Sequence, residues 1–460
     1  MTSPTLTFLG GTGTVTGSRF LVGRPEPKVL VDAGLYQGTG ELRERNWEPL
    51  TVEPSTLEAV VLTHAHLDHC GYLPRLVRDG FRGRVVCTPQ TAELAEIVLR
   101  DSAFLQEEDA AYANRAGWSR HEPALPLYDT ADVERAITLF DPVEFRRVTR
   151  VAESVDVVLH PAGHILGSAV VDLGVDGRHV VLSGDLGRAG HPLLAAPAPP
   201  PPGRTMVIES TYGDRRHPPP GGAVLAGAVR RTLQRGGTVL IPAFAVDRTE
   251  LVLLELRRLT VEGRIPRVPV YVDSPMALAA LDVYRRAVRA GSSQFHEGAS
   301  ALLEIEDVLD LRQVRDVAGS QQLNEPSYPC IIVSASGMAT GGRVVHHLKH
   351  QLPDPRNTVV LTGFQAEGTR GRQLLDGATH LKMHGRYVPV RADVIEMPYF
   401  SVHADCDDLV AWIKSAEELP STVYVVHGEP QSSRSLARRI EEDLGICAVV
   451  PFLGERVRLE

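Results

Sequence analysis

Residues 64–69 read His-Ala-His-Leu-Asp-His, directly after the apolar run 57–62. Four potential metal ligands, His64, His66, Asp68 and His69, thus fall within six residues. Imidazole and carboxylate together suit zinc and similar divalent ions. Four ligands this close cannot all reach one ion in an unstrained tetrahedron. If the chain is extended at first, His64 and His66 share one direction, while Asp68 and His69 lie past a turn and face elsewhere. Two ions sharing one loop is the natural reading, an arrangement that activates water against a carbonyl or phosphoryl group. A fold carrying this run must end a buried strand here and bring further ligands to it.

Apolar runs bounded by Gly and Pro place strands at 5–10, 18–22, 29–31 and 57–62, then at 155–159 and 179–182. Helical spacing of Leu94, Ile97, Val98 and Leu105 predicts a helix over 91–106. Alternating strands and helices indicate an α/β protein. The Pro-rich segments 195–203 and 217–222 flank an apolar strand at 205–209, and the region reads as the entry to a second domain. Strands at 238–241, 268–272, 329–333 and 358–361 and a helix at 248–259 continue the α/β pattern. A helix at 406–415 and a strand at 423–426 close it. Single ligand-type residues recur just after such strands and beside glycine: His164 in Pro-Ala-Gly-His, Asp185 in Ser-Gly-Asp, His427 in Val-Val-His-Gly. Each alone reads as a core or turn residue; the recurrence at one kind of position makes them candidates to complete the ligand set.

With 460 residues, two or three domains are expected. Residues 1–10 show no basic, apolar leader pattern, and no long apolar span occurs. The five cysteines are scattered without CxxC spacing, as for reduced thiols in a cytoplasmic protein. Cys70 is expected to be a small buried residue rather than a ligand. The net charge of −9 argues against non-specific coating of nucleic acid, yet residues 340–391 hold eight Lys or Arg against three acids. Such a strip either guides a polyanion or is a solvated face.

Asp32, the 64–69 run, His164 and Asp185 resemble, in order, motifs one to four of the metallo-β-lactamase superfamily. Glu209 in Glu-Ser-Thr-Tyr-Gly, His403 in Phe-Ser-Val-His-Ala-Asp, and His427 resemble motifs A, B and C of its β-CASP branch. The chain looks like a bacterial relative of the eukaryotic pre-mRNA 3′-end cleavage endonuclease subunit, over residues 6–451.

The resemblance implies an α/β fold: a four-layer αβ/βα metallo-β-lactamase sandwich from residues 1–204 and 387–460, with a β-CASP domain inserted at 205–386 and the active site in the cleft between them. It implies two zinc ions, with manganese as the alternative. One would take His64, His66 and His164, the other Asp68, His69 and His427, with Asp185 bridging and Asp32 orienting a ligand histidine. Asp68, Glu209 and His403 would be catalytic, His403 as general acid held and raised in pKa by Glu209. In this family His at motif C marks RNA-directed members, so His427 implies single-stranded RNA rather than DNA. The Ser334, Ser336, Gly337, Thr340, Gly341, Gly342, Arg343 run resembles the family's phosphate-contacting segment, and Arg248 lies in a second such segment. That segment usually carries glycine where Asp247 stands, so the extra carboxylate is either harmless or repels phosphate.

The expected activity is a zinc-dependent ribonuclease, with endonuclease and 5′→3′ exonuclease modes both open, no membrane partner, and a homodimer as one assembly open to it. A hydrolase of small esters, lactones or thioesters would need only the first four motifs. A non-catalytic RNA-binding scaffold would be expected to have lost ligands.

Overall fold

The computed structural model describes residues 3–24, 27–117, 119, 121–218 and 221–459. It divides into two compact units: Met1–Gln37 with Glu41–Arg216 and Val402–Glu460, and Gly38–Gly40 with His217–Ser401.

The first unit holds two seven-stranded sheets. One is ordered Arg456–Arg458, Thr5–Phe8, Phe20–Gly23, Pro27–Val31, Ala59–Val61, Arg84–Cys87, Phe140–Pro142. It is antiparallel at its first end and parallel from Pro27–Val31 onward. The other is ordered Cys447–Val449, Thr422–Val425, Thr205–Ile208, Arg178–Leu182, Ala169–Val175, Val155–Pro161, Thr149–Ala152. The strands alternate: Val29, Val31 and Val61 meet Val157, Leu159, Val171 and Leu173 in one core, while Met206, Ile208, Val423 and Val425 turn outward. There Leu409, Ile413, Leu436 and Ile440 of the helices Cys406–Lys414 and Pro430–Leu444 cover them. Each such side chain contributes about 1.5–3 kcal/mol by leaving water.

The second unit has an all-parallel six-stranded sheet, ordered Asp310–Gln313, Pro269–Val272, Ile331–Ser334, Val239–Pro242, Thr358–Leu361, Asp393–Glu396. Val-Leu-Ile-Pro, Ile-Ile-Val-Ser and Thr-Val-Val-Leu are buried throughout, as strands covered on both faces require. A separate hairpin pairs His380–Met383 with Arg386–Pro389.

The units divide at 216/217 and 401/402 rather than at the expected 204/205 and 386/387. Thr205–Ile208 is a central strand of the first unit, paired in parallel on both sides. The Pro-rich 195–203 segment lies against that unit too: Ala198 N–H donates to Pro161, and the Trp412 indole donates to the Ala198 carbonyl. The second Pro-rich segment, 217–222, begins at the boundary, and two of its prolines, 219 and 220, lie outside the described residues. Asp393–Glu396 stays with the second unit because it pairs with Thr358–Leu361. The helix expected over 91–106 runs Pro89–Ala116, from a Thr88 cap that accepts from Thr91 N–H to Gly117 at φ 64°. Its added half is mostly polar and half-exposed, so no apolar period marks it. Among the described residues, no helix is long and apolar enough to cross a membrane.

Candidate metal centre

Six loops of the first unit, each leaving the C-terminal end of a strand, converge on one place. Asp32 follows Pro27–Val31, His64 follows Ala59–Val61 and His164 follows Val155–Pro161. Asp185, Glu209 and His427 follow Arg178–Leu182, Thr205–Ile208 and Thr422–Val425. Such ends gather ligands in α/β sheets because neighbouring loops can close on one another. Close backbone approach is needed. A Cβ at Gly34 would lie 1.7 Å from the Asp68 carbonyl oxygen, and one at Gly187 would lie 1.9 Å from that of Gly163.

The 64–69 run bends before His66, which is extended at φ −70° and ψ 148°, and then coils into the short helix Leu67–Cys70. Its ligand atoms therefore separate. His64 Nε2 lies 3.1 Å from His66 Nδ1, and His164 Nε2 lies 3.3 Å from that same atom. Asp185 Oδ2 is 3.6 Å from both His64 Nε2 and His164 Nε2. On the other side, His69 Nε2 is 3.3 Å from His427 Nε2, and Asp68 Oδ2 is 3.4 Å from His427 Nε2 and 4.0 Å from His69 Nε2. Asp185 Oδ1 is 3.3 Å from His69 Nε2 and from His427 Nδ1. Ligands 2.0–2.1 Å from a tetrahedral zinc stand about 3.3 Å apart. The distances within the first set lie near that spacing, those of the second reach 4.0 Å between Asp68 and His69, and one carboxylate turns an oxygen to each set.

Asp32, wholly buried, accepts from Thr63 N–H (2.8 Å), Thr63 Oγ1–H (2.9 Å) and His69 Nδ1–H (2.7 Å). Thr63 Oγ1 also stands 3.0 Å from His64 Nδ1. One threonine and one aspartate thus hold the outward nitrogens of two histidines and leave their Nε2 atoms facing inward. Thr63 was not anticipated: a lone hydroxyl before His64 carries no metal-ligand signature. Cys70 is buried, as expected, and its Sγ–H donates to the Ala65 carbonyl at 3.4 Å. Burial pushes its thiol well above the usual range.

Burial, then neighbouring imidazoles, hold His64 and His164 well below the usual His range, while burial lowers His66 to about 4. Burial opposes the charged form of His69, but the Asp185 and Asp32 carboxylates outweigh it and raise this group well above that range. Burial likewise works to raise Asp185, and His427 and His69 outweigh it to hold the carboxyl well below its usual value.

Glu209 is buried; its Oε1 accepts from Leu186 N–H at 2.8 Å and its Oε2 from Thr211 N–H at 3.3 Å. His403 Nδ1 lies 3.1 and 3.2 Å from the two oxygens and 3.9 Å from Asp185 Oδ2. Its ring lies 4.4 Å from that of His164, tilted by 50°.

The residues expected at phosphate lie in the second unit. Ser334 is buried and donates to the Asp273 carbonyl (2.9 Å). Ser336 Oγ accepts from Thr340 N–H (3.1 Å), Gly337 packs on Phe244, and Gly342 at φ 75° begins the helix Arg343–Gln351 after Gly341. Neither arginine stands open. Arg343 binds Asp273 (2.6 Å) and the carbonyls of Val314 and Arg315 (3.1 and 3.0 Å), and buried Arg248 donates to the Thr362 carbonyl. Asp247 has φ 68°, a conformation that explains a glycine preference there. Its carboxylate is buried and accepts from Tyr284 Oη–H at 2.9 Å, facing the interior rather than solvent.

Three family models match the chain: Metallo-beta-lactamase superfamily over residues 13–239, Beta-Casp domain over 249–374, and Zn-dependent metallo-hydrolase RNA specificity domain over 387–451. The chain is 37% identical over 435 residues to Ribonuclease TTHA0252 of Thermus thermophilus, covering 93% of this chain and 94% of that one. It is 31% identical over 454 residues to an RNase J-like protein of Methanocaldococcus jannaschii, covering 98% of each. A protein of unknown function from Enterococcus faecalis, solved by crystallography, shares the fold at TM-score 0.53 with 14% identity over the whole of both chains.

Proposed function

This chain belongs to the β-CASP ribonuclease group of the metallo-β-lactamase superfamily, and from that premise we propose a metal-dependent ribonuclease that hydrolyses phosphodiester bonds of single-stranded RNA with two zinc ions. One ion would be held by His64, His66 and His164, the other by Asp68, His69 and His427, and Asp185 would offer an oxygen to each set. The observation that carries this reading is Asp185, whose two oxygens each stand 3.3–3.6 Å from the histidine nitrogens of a different set. Two divalent ions so placed supply Lewis acidity towards a phosphoryl group and lower the pKa of water towards neutrality.

The chain's own groups do the rest. Asp32 and Thr63 hold His69 and His64 with Nε2 inward, a support that keeps ligand rings in place. Glu209, fixed by two backbone N–H groups, accepts from His403 Nδ1–H and leaves the Nε2–H of the imidazolium to protonate the leaving oxygen. His427 in the ligand set favours RNA over DNA.

The reading is tested by incubating the zinc-loaded protein with single-stranded RNA and with DNA of the same sequence. RNA should be cut far faster, and His66→Ala should abolish cleavage while leaving the fold intact. Equal rates on the two strands, or full activity in His66→Ala, would overturn it.

A further inference from the structure

The His380–Met383/Arg386–Pro389 hairpin stands apart from the six-stranded sheet of the second unit. A lone two-stranded ribbon is marginal in water. Leu381, Met383 and Val388 anchor this one in the core. The opposite face is left to solvent: Lys382 and Tyr387 are directly paired across the strands and both exposed, Tyr387 by 72%. The turn is a two-residue one, His384-Gly385, with φ 46° and 76°. Both positions need positive φ, where asparagine and glycine are favoured. Histidine occupies the first of them, and its ring lies 4.5 Å from that of His346.

The surroundings of this hairpin are cationic within an acidic chain. Burial lowers His384, and His346, Lys349 and Arg370 lower it further. Among the described residues, Lys349, Lys382 and Arg386 have no ion-pair partner. The nearby Asp376 and Asp393 are already paired with Arg372 and Arg235. Arg370 donates to the Lys382 carbonyl (3.2 Å) and to the carbonyls of Ala339 and Thr340 (3.2 and 3.0 Å). It thereby ties the hairpin to the Ser336–Thr340 turn, whose hydroxyls are solvent-accessible. An exposed aromatic ring beside unpaired cations is the pattern that holds single strands, the ring taking a base face and the cations the phosphates.

We infer that the exposed face of this hairpin is a docking surface for single-stranded RNA, with Tyr387 stacking on a base and Lys382, paired with it across the strands, holding a flanking phosphate. The inference rests on the ribonuclease reading above.

The test compares kcat/KM for a 20-nucleotide RNA with kcat/KM for bis(p-nitrophenyl) phosphate, a diester too small to reach from the metal site to any second surface. In Lys382→Ala/Tyr387→Ala the ratio of the two should fall about tenfold or more. Tyr387→Phe should restore most of the stacking contribution. The slope of log kcat/KM for RNA against log salt should become shallower by about 0.7 in Lys382→Ala. An unchanged ratio in the double variant would overturn the inference and leave the ribonuclease reading standing. An equal fall on both substrates would also overturn it, by marking the residues as structural. A wild-type chain that hydrolyses the small diester and leaves RNA intact would instead overturn both readings.

Discussion

Asp32 accepts a 2.7 Å hydrogen bond from His69 Nδ1–H, and that bond decides which nitrogen of His69 faces the ligand set. The carboxylate is itself locked by two bonds from Thr63. Asp32→Ala should therefore loosen metal by about 10–100-fold, with the ligands themselves untouched. A chelator competition titration reads this directly; an unchanged affinity would remove Asp32 from the orienting role.

His403 stands beside the metal ligands and is placed by Glu209. His403→Ala should lower kcat on RNA by about 10²–10⁴-fold while zinc content stays near that of the parent. A p-nitrophenyl leaving group needs no proton, so bis(p-nitrophenyl) phosphate should lose much less. Loss of metal, or an equal loss on both substrates, would count against the acid role.

The backbone of the 64–69 run is clamped from outside. Ser18 N–H donates to the Asp68 carbonyl (2.9 Å) and Ala33 N–H to that of His69 (2.7 Å). Gly34→Ala should push the Asp68 carbonyl away and lower metal content, because the added Cβ meets that oxygen at 1.7 Å. Metal analysis beside a far-UV spectrum separates this from unfolding; full metal content would mean that the loop gives way without moving its ligands.

In metal-stripped protein, His64, His66 and His164 have folded-state pKa values below the unfolded value of about 6.5. Below that pH the unfolded chain binds protons that the folded chain does not. Their contribution is present above pH 6.5 and is lost as the pH falls, by up to about 1.4 kcal/mol per unit for each imidazole. His69 has the opposite sign: its raised pKa leaves it protonated in both states below 6.5, and its contribution fades only as the pH rises. Tm in EDTA should therefore drop between pH 6.5 and 4, and a flat profile would contradict the buried neutral histidines.

The candidate ligand set was legible because its chemistry is written in residue type: His and Asp at strand ends, beside glycines that let loops meet. The supports were not. Thr63 acts through two neighbours 31 and one residue away, Asp32 and His64, and a hydroxyl announces nothing until the fold places them. The same holds for Asp273, a buried hub that receives Ser320 (2.6 Å), His347 (2.5 Å) and Arg343 (2.6 Å) and fixes the Ser334 strand end. Arg343 and Arg248 were expected at phosphate from their charge; Arg343 pairs with Asp273 and two carbonyls and Arg248 with the Thr362 carbonyl, partners that no local pattern reveals. The polar edge strand Asp310–Gln313 went unseen because it has one partner and little apolar surface. Apolar runs mark buried strands, and edges and exposed helix halves lack them.

In the proposed ribonuclease the two ligand sets that share Asp185 act together on RNA. The direct measurement is titration of metal-stripped protein with zinc while RNA cleavage is followed. Cleavage should stay low through the first equivalent and rise to its full value as the second binds, and Asp185→Asn should blunt that rise. Full activity at one equivalent, or with none, would contradict a shared two-ion site.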